Sequence, residues 1–263
     1  MRTTLIIFAL LLLVPHNAMA GLGTGLVGYW PLDTRDTPWS SATAATTLDR
    51  SGNNSTGTLT SMSRSTSPVV GKLGQGLKFD GTSSYISVSG NPTTAIDNWT
   101  LAAWVNPATI PQRVVSNYPG MVVYNGNDIG GYGFGVGAAD SSGSNFMGLY
   151  GSVVWLDSGY TFPSANKWYY LVMKRSAGTV SFYVNGAQTA NTYTNTPNAV
   201  QTGFTIGFEV STPRDSYFNG PIDDVRIYNR ALSAGEVQQL YRQGLAMDRG
   251  GFFSFLIKMF SFF

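Results

Sequence analysis

Apolar residues along most of the chain either alternate with polar ones or run in short blocks, and turn residues separate the blocks. That pattern predicts a first strand over Leu26–Leu32 and then strands at Leu77–Asp80, Tyr85–Ser89, Leu101–Asn106, Val114–Val115 and Met121–Tyr124. Further strands are expected at Tyr132–Val136, Phe146–Tyr150, Val153–Leu156, Trp168–Lys174, Val180–Val184, Phe204–Val210 and Ile222–Tyr228. Asp80-Gly81, Asn125-Gly126, Ser142-Gly143, Ala177-Gly178 and Asn185-Gly186 supply turns. Both faces of Leu101–Asn106 are largely apolar, as suits a strand central to two packed sheets. From Thr34 to Pro68 the chain turns polar, which predicts loop with at most one short strand. No internal repeat interrupts the series, so a single all-β domain is expected.

The period lengthens only once. Leu232, Val237, Leu240 and Tyr241 form a short helical stripe, Ser233 and Glu236 have the spacing of a capping box, and Gly244 is placed to stop the helix. Just before it, the alternation of Ile222–Tyr228 puts Asp223 on the same face as Val225 and Ile227. A carboxylate on a core face needs a partner. A cation would serve, as would backbone N–H groups, Arg226 or Arg230.

Composition narrows the function classes. Charged residues make up 11% of the chain against 13% aromatic, and the formal net charge is +2, so nothing predicts a nucleic-acid partner. Cysteine is absent, which removes disulfides, thiolate catalysis and zinc–sulfur sites. The one histidine is His16, inside a leader-like segment, which removes imidazole-based triads and metal sites from the rest.

The phrase GPIDDVRIYNRALSAGEVQQLY, from Gly220 to Tyr241, resembles the C-terminal signature of laminin G-like, concanavalin A-like jelly-roll domains. GKLGQGLKFDGTSSYISV (Gly71–Val88) is similar to that family's first core hairpin. GLVGYWPLD, WTLAAWVNP and WYYLVMKRSAGTVSFYVNGAQ follow the same order, so the resemblance covers about residues 25 to 244. It implies a two-sheet antiparallel jelly-roll sandwich with one short C-terminal helix, spanning 21–244. Fold does not fix function, and the family holds lectins and glycosidases alike.

The resemblance also implies a structural calcium ion, a hard cation for oxygen ligands. Asp33 of the WPLD segment and Asp223 are the expected ligands, with Asn53 from the LDRSGNN turn, which is similar to the family's D-x-S-G-N element. Between Arg113 and Asn166 the family pattern fades and rings accumulate: Tyr118, Tyr124, Tyr132, Phe134, Tyr150, Trp155 and Tyr160. Most belong in a core, but a ring beside Asn or Asp suits stacking on a sugar. Trp155, Tyr132 and Asp157 are the ligand candidates, Trp155 first because Asp157 and Gly159 follow it in a turn.

Glycosidases need two carboxylates across the scissile bond. The E-x-D-x-x-E strand of laminarinase-type enzymes is absent, and of the two glutamates Glu236 is already assigned to the helix cap, leaving Glu209. The leading expectation is a non-catalytic module that binds a glycan or a surface glycoprotein, as in adhesion. One alternative is a glycoside hydrolase or lyase using an Asp pair from Asp140, Asp157 and Asp215. Another is a structural cell-envelope protein docked through its tail.

The ends bear on location. Arg2, the apolar run Leu5–Val14 and Ala18-Met19-Ala20 read as a secretory signal over residues 1–20, giving a secreted, extracellular or cell-envelope protein. The Phe-rich stretch 245–263 suits a membrane interface or self-association, and is too short to span a bilayer. Mass spectrometry of exported material should find Gly21 at the N-terminus, and an intact Met1 would contradict the assignment.

Overall fold

The computed structural model describes residues 21–110, 120–127, 129–137, 143–151, 154–209 and 216–246. The leader, the expected strand at Val114–Val115 and the Phe-rich segment from residue 247 lie outside the described residues.

Among the described residues sixteen strands form two antiparallel sheets of eight. In chain order they are β1 (Leu26–Trp30), β2 (Thr46–Thr47), β3 (Gly57–Thr60), β4 (Pro68–Val70), β5 (Gln75–Asp80), β6 (Tyr85–Val88), β7 (Trp99–Val105) and β8 (Gly120–Gly126). After them come β9 (Gly131–Gly137), β10 (Asn145–Tyr150), β11 (Val154–Thr161), β12 (Tyr169–Ser176), β13 (Thr179–Val184), β14 (Ala187–Tyr193), β15 (Phe204–Ile206) and β16 (Asn219–Tyr228). The first sheet runs β14-β13-β12-β7-β16-β5-β4 with β1 also beside β16, and the second runs β11-β10-β9-β8-β15-β6-β3-β2. A two-sheet jelly-roll sandwich is what the sequence leads one to expect.

Between the sheets lies a core of rings and branched side chains, including Trp30, Phe79, Trp99, Phe134, Phe146, Phe182 and Phe204. Trp30 stacks on Phe204 at 5.0 Å across the two sheets, so the layers interlock through aromatics. Every residue of β7 is buried, because one of its faces meets this core and the other meets a helix.

That helix, α1 (residues 234–246), lays Val237 and Leu240 against Trp104, Tyr170, Tyr183 and Tyr228 on the outer face of the first sheet. Its start follows the predicted capping box. The Ser233 N–H donates to Glu236 Oε2 at 2.8 Å and the Glu236 N–H donates to Ser233 Oγ at 3.2 Å. Arg230 adds a two-pronged bond to the same glutamate. Gly244 does not stop the helix as expected. It lies within it, where an added Cβ would come 2.3 Å from the Trp104 ring, so glycine is needed there for close approach.

Two expectations about strands are corrected. The polar stretch 34–68 holds β2 and β3 as well as a 3₁₀ turn at Thr34–Asp36, and Ala187–Tyr193 forms a strand although its residues are polar and mostly exposed. An edge strand needs no apolar alternation when neither face is covered. The second correction concerns β16. Its pairing with β7 shifts between Asp223 and Arg226, and Asp224 has a φ of 51°. This β-bulge resets the alternation. Ile222, Val225 and Ile227 all enter the core, so Asp223 does not share the face of Val225 and Ile227.

Ser233→Ala should lower stability by about 1 kcal/mol, the usual value of an N-cap. Chemical denaturation will measure it. A loss of ligand binding at unchanged stability would mean that Ser233 belongs to a site.

Candidate functional site

The outer face of the second sheet is built differently from that of the first. Strand β9 reads GYGFGVG, and its alternation sends Tyr132, Phe134 and Val136 into the core. The other face of the strand therefore carries glycines only, and neighbouring side chains fold down over it. A Cβ on Gly133 would meet the Tyr124 ring at 2.5 Å, and one on Gly135 would meet Met121 Sδ at 2.9 Å. Tyr124, Met121 and Leu149 thus form a small buried cluster of their own, and the half-buried Trp155 packs against it.

Trp155 pairs with Leu149, and Asp157 pairs with Met147 one step further along β11. Residues two apart share a face, so the indole and the carboxylate stand side by side. The β10–β11 register then shifts between Asn145 and Met147, and Gly159 takes a φ of 77°. Asp157 holds this bulge: Oδ1 accepts the Gly159 N–H at 2.8 Å and Oδ2 accepts Asn145 Nδ2 at 2.8 Å. Thr161 Oγ1 donates in turn to Asn145 Oδ1 at 2.9 Å. Each oxygen of Asp157 has one of its two lone pairs engaged, so both retain capacity to accept a hydroxyl. A ring flanked by a fixed Asp–Asn–Thr chain can stack on the apolar face of a sugar and receive its hydroxyls.

Tyr132 does not join this arrangement. It is fully buried, stacks on Trp99 at 3.9 Å and donates its hydroxyl to Ala95 O at 2.8 Å. The alternation of β9 places it in the core, with Phe134 and Tyr150. Tyr160 meets Phe162 and Tyr169 edge-on, and Tyr118 lies outside the described residues, as do Asp140 and Asp215. Sequence reasoning passed over Asn145 and Thr161 and named Tyr124 only among the accumulated rings, not as a floor. Glycine at every second position of β9 was the available signal for the floor.

The proposed metal ligands are partly brought together. Asp33 and Asp223 both address the turn of residues 71–75. Asp223 Oδ2 accepts the N–H groups of Lys72 and Leu73 at 2.7 and 2.8 Å, and Asp33 Oδ1 accepts that of Gln75 at 2.7 Å. Gly71 and Gly74 permit the approach, since a Cβ on either would lie 2.5 Å from a carboxylate oxygen. Asn53 stands elsewhere, donating Nδ2 to Val27 O at 3.2 Å, beside the end of β16 roughly 13 Å from Asp223 by strand rise. Its turn is pinned to β1 by Asp49, which accepts the N–H groups of Tyr29, Ser51 and Ser55.

These residues do not compose a calcium set. The turn presents N–H donors to both carboxylates, and Asp223 Oδ1 is the buried oxygen left without a hydrogen bond. Calcium takes about six to eight oxygens. Among the described residues no three acidic side chains are grouped to hold a metal. Burial instead pushes the Asp223 carboxyl up to about 8, the Asp224 and Asp33 charges adding to the effect while the two N–H bonds oppose it.

The chain belongs to the Concanavalin A-like lectin/glucanases superfamily, whose profile matches residues 80–238. A search of curated proteins found no match. Among solved structures, it is similar to domain 4 of AbnA, a GH43 extracellular arabinanase from Geobacillus stearothermophilus, in complex with arabinotriose. The TM-score there is 0.60 at 21% identity, covering 82% of this chain and 98% of that one. The receptor binding domain of botulinum neurotoxin C/D mosaic serotype matches at TM-score 0.60 and 12% identity, over 84% of this chain and 52% of that. Trypanosoma rangeli sialidase matches at 0.54 and 18%, over 83% of this chain and 33% of that. The match thus spans about half of the toxin domain and a third of the sialidase. At these identities the likeness establishes the fold.

A buried acid with a raised pKa binds a proton in the folded state that the unfolded chain has released, so its contribution to stability is lost as pH rises from about 4 to 8. Melting temperature should fall from pH 5 to pH 8.5, and Asp223→Asn should flatten that slope. Thermal melts across pH, with calcium and with chelator, will check it. An unchanged slope in Asp223→Asn would contradict the titration, and a calcium-dependent rise lost in the variant would restore the metal.

Proposed function

We propose that the chain is a secreted, non-catalytic carbohydrate-binding module of adhesion type, and that its ligand stacks on Trp155 with Asp157 and Asn145 receiving and donating hydroxyl hydrogen bonds. One observation carries the reading: a half-exposed indole and a bulge-fixed carboxylate share the face of an edge strand. Supporting it, the arabinanase domain of the same fold is seen with arabinotriose, and the toxin domains are receptor-binding units. The fold also serves enzymes, so the non-catalytic part rests on the carboxylates. Glu236 is engaged by Arg230 and the helix cap, and Glu209 is buried.

A glycan array with the purified protein should give a defined set of binders. Trp155→Ala should weaken them at least tenfold, about 1.4 kcal/mol, while Trp155→Phe keeps part of the affinity. Binders indifferent to Trp155→Ala would move the site elsewhere. Release of reducing sugar from a bound polysaccharide would make the protein an enzyme.

A further inference from the structure

On the far side of the sandwich the turn between β3 and β4 faces the β5–β6 hairpin across a cleft of about 250 Å³. Its walls are rigid. Met62 is buried in the core beneath the turn, Ser63 O accepts the N–H groups of Thr66 and Ser67, and Ser67 O accepts that of Lys78 at 2.7 Å. Opposite, Asp80 Oδ1 accepts the N–H groups of Thr82, Ser83 and Ser84 at 2.8, 2.8 and 2.9 Å. The Ser83 and Ser84 hydroxyls donate to the same carboxylate. Partial burial opposes its charge, yet these N–H groups hold the Asp80 carboxyl below the usual range. Asp80 is thus occupied by its own turn.

What remains free points into the cleft's chemistry. Ser61, Thr66 and Lys78 line it and are exposed, and their side chains make no hydrogen bond or ion pair among the described residues. Arg64, on the same turn, lines an adjoining groove with Ala42 and Ser65. Two cations therefore flank a hydroxyl-rich cleft whose acid, Asp80, is compensated within the opposite hairpin. No aromatic side chain lines either hollow, so a neutral sugar would find nothing to stack on. Charge must supply the affinity that stacking does not.

We infer that this cleft is a second carbohydrate site, taking one anionic sugar residue whose carboxylate or sulfate meets Lys78 and whose ring hydroxyls meet Ser61 and Thr66. The volume is below the range of about 300–1,000 Å³ typical of larger ligands, which fits a single ring. β6 lies five strands from β11 in the second sheet, so the cleft is about 24 Å from the Trp155 face. It stands independently of that face.

The full chain would be titrated by calorimetry with D-glucuronate, N-acetylglucosamine 6-sulfate, glucose and inorganic sulfate. Millimolar binding of at least one anionic sugar is expected, glucose being silent, with affinity falling as salt rises. Lys78→Gln should weaken it about tenfold at an unchanged melting temperature, Lys78→Arg should retain it, and Trp155→Ala should leave it intact. The uronate and the sulfated sugar distinguish the two anionic groups. No binding by either sugar, or binding indifferent to Lys78→Gln, would overturn the inference. So would inorganic sulfate binding as tightly as the sulfated sugar, since the sugar ring would then contribute nothing.

Discussion

The bulge at Asp224 is the constraint on which the first sheet depends. β16 is bordered by β7 along one edge, but its other edge is shared: β5 pairs with Asn219–Ile222 and β1 with Val225–Tyr228. The handover falls at Asp223 and Asp224, where the positive φ turns the chain. Asp224 is 2% exposed and is held by Arg226 at 3.0 Å, whose guanidinium lies 4.4 Å from the Tyr29 ring centroid. Removing one member of such a buried pair typically costs about 3–5 kcal/mol, because the other charge is stranded. The pair therefore fixes where β16 changes neighbours, and with it the position of the 71–75 turn at which Asp33 and Asp223 meet.

That same bulge marks the limit of what could be read from the sequence. Strands with β-branched and aromatic alternation were legible, as was the capping box of α1. Face assignments failed at Asp223 because a single extra residue inverts parity, and Asp-Asp inside a strand does not reveal where the extra residue sits. β14 was missed for a related reason: a polar edge strand is defined by its neighbour's backbone rather than its own side chains. At the candidate site Trp155 and Asp157 stand on one face of β11, and where a turn was expected after Trp155 the strand continues through a bulge. Tyr132 was a candidate only as a ring in a stretch rich in Asn and Asp, whereas the glycines of β9 face out and its rings face in.

The two sheets divide the work of the fold. Helix α1 covers the outer face of the first sheet with Val237 and Leu240, so that face is committed to stability. The second sheet has Tyr124, Met121 and Leu149 folded over the glycines of β9, and Trp155 rests on them at the edge. A ring supported from below by other side chains holds its orientation, which is what stacking on a sugar requires.

The carboxylates follow a second economy. Without cysteine the chain has no covalent staple for its loops, and aspartates take that part. Asp49 pins the turn of residues 49–55, Asp80 the hairpin at 80–84 and Asp157 the bulge of β11, while Asp33 and Asp223 close on the turn 71–75. Asp36 is held by Arg50, Asp97 by Arg175 and Asp224 by Arg226. Each of these acids is tied by N–H bonds to the backbone or to a side chain, and at Asp223 burial outweighs them and pushes the carboxyl up to about 8. General acid catalysis needs a carboxyl kept protonated, open to substrate and free of structural duty. Asp223, whose carboxyl burial pushes up, is sealed under a turn, and Asp157, beside the half-buried indole, is held by two donors with acceptor capacity to spare. An arrangement of that kind is able to receive hydroxyls.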